Sequence, residues 1–71
     1  MERNEIAQVL VEAAEVYMDL EEEQPRLDSR EAQIALIEYN LREAREAEAE
    51  HGVDESGWIA RLEQAAQALG R

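Results

Sequence analysis

The stretch EIAQVLVEAAEVYMDLEE, residues 5–22, decides how this chain folds. Glu5, Gln8, Glu12, Glu15, Asp19 and Glu22 recur three or four residues apart, which puts them on one stripe of a helix. Apart from Glu21, everything between them is apolar. Ile6, Leu10, Ala13, Tyr17 and Leu20 make a seam. Val9 and Val16 widen it on one side, and Ala7, Val11, Ala14 and Met18 widen it on the other. A surface helix needs an apolar arc of about 100°, whereas this one spans roughly 200°, too much for one neighbour to cover. The stretch therefore predicts packing partners on two sides.

Outward from that stretch, a single Pro (Pro25) and three Gly (52, 57 and 70) divide the 71 residues into three segments rich in Ala, Glu, Leu, Arg and Gln. The reading is all-α: helix one over about 3–23, a short turn at 24–27, helix two over about 28–51 and helix three over about 54–69. Asp28 or Ser29 is the expected cap of helix two, and Gly52 fits its left-handed C-terminal stop. Asp54 is the expected cap of helix three, with Val53 and Trp58 at the spacing of a hydrophobic staple. The turn at Pro25 predicts a helical hairpin, across which helix three folds as a third, amphipathic helix.

Helix two opens with a broad apolar surface that includes Ile34, Ile37, Tyr39 and Leu41. From Arg42 to Glu50 its only apolar residues are alanines. There Glu38, Arg42 and Glu46 stand four apart, as an ion-pair ladder would. Helix three turns Trp58, Ile59, Leu62, Ala65, Ala66 and Leu69 to one side, with Arg61, Glu63, Gln64 and Gln67 away from it.

The chain is short for a self-sufficient core, and it has no Cys for a disulfide or thiolate metal site. Twelve of its apolar residues are Ala, and there is no Phe. Residues 1–71 thus read as one small helical domain that dimerises into a bundle. The wide faces predict an interface containing Ile6, Leu10, Val11, Tyr17 and Met18 of helix one, Ile34 and Tyr39 of helix two, and Trp58 of helix three. The tyrosines are expected on apolar faces with their hydroxyls at the rim.

Charge excludes whole classes of partner. Eighteen acidic residues against seven Arg give a net charge of -11, so direct binding to a nucleic-acid backbone or an anionic membrane is disfavoured. The absence of Cys suits a reducing cytoplasm, and no apolar run or leader points to membrane insertion or secretion. Residues 1–24 hold eight acids against one Arg. Glu12, Glu15, Asp19, Glu21, Glu22 and Glu23 thus form an acidic face suited to a basic surface on another protein. Arg26 and Arg30, across the turn, are the expected local counter-charges.

Catalytic chemistry finds little support. The carboxylates all lie on polar stripes or charge runs, where none is expected to be perturbed, and no nucleophile with a base or Gly-rich phosphate loop can be drawn. His51 with Glu48 makes Glu-x-x-His, which resembles the i, i+3 pair of ferritin-like di-iron bundles over those four residues. That resemblance implies a metal-binding bundle using Glu48 and His51. The alternative is that His51 offsets the dipole at a helix end just before Gly52, and that reading is preferred because the segment is solvated. No cofactor or metal is expected.

These residues suggest a small acidic interaction protein that is not an enzyme: an adaptor, a chaperone-like escort or a regulatory subunit, working as a homodimer on another protein's helix or basic surface. The alternative is an acidic inhibitor, antitoxin-like or phage-type, that mimics nucleic acid and occupies a basic site.

Overall fold

Alternation of Glu, Ala and Leu with so few helix breakers leaves the chain one kind of local structure. The computed structural model, which describes residues 1–70, has three helices: α1 over Arg3–Glu21, α2 over Arg30–His51 and α3 over Ser56–Ala68. The all-α reading holds, and the differences lie at the ends.

α1 stops at Glu21 because Glu22 adopts the left-handed conformation (φ 57°, ψ 23°), its N–H donating to the Met18 carbonyl at 2.8 Å. A non-glycine residue held there costs about 1 kcal/mol. α2 begins at Arg30, two residues later than expected. Ser29, and not Asp28, is its cap: the backbone there is extended (φ -147°, ψ 160°), and the Ser29 hydroxyl accepts from the Ala32 N–H at 3.1 Å. Gly52 ends α2 in the left-handed region (φ 66°), as expected.

Asp54 is not the cap of α3. The capping position falls on Glu55, whose side chain makes no capping bond. Asp54 closes a small turn of its own, accepting from the Ser56 N–H at 3.0 Å and the Ser56 hydroxyl at 2.7 Å. Both bonds hold its carboxyl below the usual range. The shift of one residue removes the staple register, and Val53 stays 46% exposed.

α1 and α2 form an antiparallel hairpin, since Ala13 meets Asn40 while Tyr17, farther along α1, meets Tyr39, farther back on α2. α3 packs against both. The core holds Val9, Ala13 and Ala14 of α1, Leu36, Ile37 and Leu41 of α2, and Leu62, Ala65 and Ala66 of α3. Alanine at most of the α1 and α3 positions in this set lets the backbones approach closely while contributing little apolar area. Leu10, Tyr17, Trp58, Ile59 and Leu69 pack around the margin, partly exposed. Among the described residues, no helix is long and apolar enough to cross a membrane.

Candidate functional site

α1 is covered on one flank and bare on two. Val11 is 53% exposed, and on the other side of the polar stripe Val16 and Leu20 are 36% and 54% exposed. Of the residues expected at an interface, Val11 is the one that lies open. Ile6, Leu10, Tyr17, Met18, Ile34, Tyr39 and Trp58 are all half-buried, none sealed inside the protomer. Leu10, Tyr17 and Trp58 owe part of that burial to the core they pack against. In the acidic set, Glu15, Asp19, Glu21, Glu22 and Glu23 are exposed.

Glu12 departs from that pattern, and so does Arg61, which does not face away from the apolar side of α3. The Arg61 guanidinium grips the Glu12 carboxylate through both nitrogens, at 3.1 and 2.6 Å, and ties α3 to α1. It also lies 5.5 Å from the centroid of the Trp58 ring. Arg61 and Trp58 are three apart on α3, so one helix presents the cation and the ring on the same face. The hydrogen bonds from Arg61, helped by its charge, hold the Glu12 carboxyl below its ordinary range, against the opposing effect of burial, and the same partner raises Arg61. A perturbed carboxylate was not expected on α1. Its signal was present only as a pair of residues far apart in the sequence.

Other ion pairs also differ from expectation. The ladder Glu38–Arg42–Glu46 does not form. Arg42 instead lies 5.5 Å over the ring of Tyr39, and Arg45 of α2 reaches Glu63 of α3 at 3.7 Å. Arg26 pairs with Asp28 at 3.4 Å, both highly exposed, and among the described residues neither Arg26 nor Arg30 pairs with Glu21, Glu22 or Glu23. Glu21 has a different partner: its carboxylate accepts from the Tyr39 hydroxyl at 2.6 Å. That bond to an anion, with burial and nearby negative charge, pushes the Tyr39 phenol up to about 12. Tyr17 meets Tyr39 edge-on, with centroids 4.9 Å apart, so the hydroxyl is at the rim and the rings join α1 to α2.

Asn40 is the residue the sequence reading passed over. It is 1% exposed, the only buried polar side chain among the described residues. Its amide nitrogen donates to the carbonyls of Ala13 (3.2 Å) and Leu36 (3.0 Å). Two carbonyls can only be met by the NH2 end, so the orientation of the amide is set, and Oδ1 is left buried with no donor. Such an orphaned acceptor costs about 1–3 kcal/mol. A clue existed in the spacing, because Asn40 lies four residues from Leu36 and from Ala44.

Beside Asn40 is a groove of about 520 Å3 between α1 and the α2–α3 corner. Val16, Leu20, Ala44, Ala47 and Trp58 supply its apolar wall, and Glu12, Glu43 and Glu55 its charged rim. A second depression, of about 580 Å3, runs from Pro25 and Arg26 past Tyr17 and Tyr39 to Arg42. Leu20 belongs to the apolar seam in the sequence and Val16 to the flank that widens it, yet periodicity alone did not single them out as groove residues.

Glu48 accepts from the backbone N–H of Glu55 at 3.1 Å and so braces the α2–α3 loop. His51 is exposed at the end of α2, and among the described residues no three His, Asp or Glu side chains cluster so as to hold a metal ion. Compared with known protein families, with curated proteins and with solved structures, the chain matches none.

Proposed function

We propose that this chain is a small acidic protein–protein interaction module of the cytoplasm, an adaptor, escort or regulatory subunit, which associates with a second copy of itself through the Val11 and Met18 flank of α1. The observation that carries the reading is the exposure of Val11 at 53% in the middle of a helix whose opposite side is core. Single exposed apolar residues are ordinary. Here Val11 is accompanied on the same flank of α1 by exposed Ala7 and partly exposed Met18. The accessible area of 4838 Å2 also exceeds the roughly 4,500 Å2 typical of a folded monomer of this mass. A symmetric pair would cover Val11 with its own counterpart while leaving the acidic stripe in water.

Light scattering coupled to size exclusion tests this. The expected result is a dimer at micromolar concentration that Val11→Asp converts to a monomer with unchanged helicity. A wild-type monomer at high micromolar concentration overturns it.

The second reading, an acidic inhibitor of a basic site, is favoured by Glu15, Asp19, Glu22 and Glu23, which are exposed and make no ion pair among the described residues. Association of that kind would weaken steeply with salt, whereas pairing of two copies at net charge -11 through the Val11 flank would tighten as salt screens their repulsion.

A further inference from the structure

The groove beside Asn40 has a shape, a polarity and a charge that together specify an occupant. Glu12, Val16 and Leu20 are spaced by four residues along α1, so the trough runs along that helix for about 12 Å, two turns. Its floor is aliphatic and aromatic. Its rim carries three carboxylates, of which Glu12 is answered by Arg61 while Glu43 and Glu55 have no ion-pair partner among the described residues. Asn40 also borders the groove, while its Oδ1, without a partner among the described residues, is buried.

We propose that this groove binds a cationic amphipathic helix of a partner protein. Apolar side chains of that helix seat against Val16, Leu20, Ala47 and Trp58, and its Lys or Arg side chains face Glu43 and Glu55. The inference rests on the interaction-module reading and names the partner's chemistry. A trough two turns long matches the i, i+4, i+7 anchors by which an amphipathic helix docks. Charge decides between occupants. A second copy, at net charge -11, would bring its own carboxylates against Glu43 and Glu55. A helix bearing Lys and Arg finds opposite charge at the rim.

Trp58, the only tryptophan, lines the groove and reports on it directly. The probe is a synthetic amphipathic helix of Leu, Ala and Lys without aromatic residues, titrated into the full chain while Trp58 emission is followed. The expected result is a saturable blue shift. Binding is weaker by about tenfold or more, one decade of affinity, for a peptide of the same composition in scrambled order and for an equally amphipathic peptide with Glu in place of Lys. Leu20→Glu, at a position already open to solvent, reduces binding to a similar extent with unchanged helicity, and Glu43→Gln with Glu55→Gln reduces it several-fold at low salt.

Equal binding of the scrambled peptide, an unaltered affinity in Leu20→Glu, or no binding at all overturns the proposal. So does a peptide-silent protein whose self-association is abolished by Leu20→Glu, which would make the groove the contact between copies. Light scattering reports self-association independently of the titration, so the groove assignment can fail while the interaction-module reading stands.

Discussion

A single amide shows how strongly one residue can constrain a core this small. Asn40 presents its NH2 to two carbonyls, and both carbonyls belong to helical backbone, so the amide adds a tie between α1 and α2 without being needed to satisfy either helix. Removing it orphans nothing, and removing Oδ1 relieves a buried acceptor. Asn40→Leu, close in shape, is therefore expected to change unfolding free energy by less than about 1.5 kcal/mol. Asn40→Asp turns a carboxylate toward the same carbonyls, and an uncompensated buried charge costs about 3–5 kcal/mol. Chemical denaturation of both variants checks this, and equal damage by the two would show that the donor bonds dominate. The contrast was invisible in the sequence, where Asn40 reads as one more polar residue on a helix.

At the scale of elements, the tie between α1 and α3 is the Glu12–Arg61–Trp58 group. Its pH dependence has a definite sign. The Glu12 carboxyl is lowered in the folded protein relative to 4.5. Its contribution to stability is therefore full above the unfolded value and is lost as pH falls from about 4.5 through the lowered folded value. Thermal melts of wild type and Glu12→Gln are expected to differ most near neutral pH and to converge below that window. A difference that persists at low pH would mean that Glu12 acts through packing and not through its charge. Ends of elements obey local chemistry more closely than their sides do. The Ser29 cap and the Gly52 stop follow from residue type, whereas the cap position of α3 falls one residue beyond the expected Asp54, whose side chain bonds Ser56 instead of capping the helix.

For the whole molecule, a net charge of -11 on a body of 11.6 Å radius of gyration sets repulsion against a core made largely of alanine and a few larger aliphatics. Screening weakens that repulsion and also the half-exposed Glu12–Arg61 pair. Three partly or largely exposed ion pairs cannot outweigh a net charge of -11, so Tm is expected to rise between about 10 and 150 mM NaCl, a range over which the screening length falls from about 30 to 8 Å. Scanning calorimetry across that range decides it, and a falling Tm would show that ion pairs dominate.

The sequence by itself determined the three helices, the hairpin at Pro25 and the excess apolar circumference of α1, because helical periodicity and turn chemistry act between residues a few positions apart. Only the tertiary structure decided that Arg61 belongs to Glu12 and Arg42 to Tyr39, that Asn40 is buried, and that Val16, Leu20 and Trp58 share a groove with Glu43 and Glu55. Those relations join residues on different helices. Their partners are fixed by how the helices cross, which no spacing within one helix encodes.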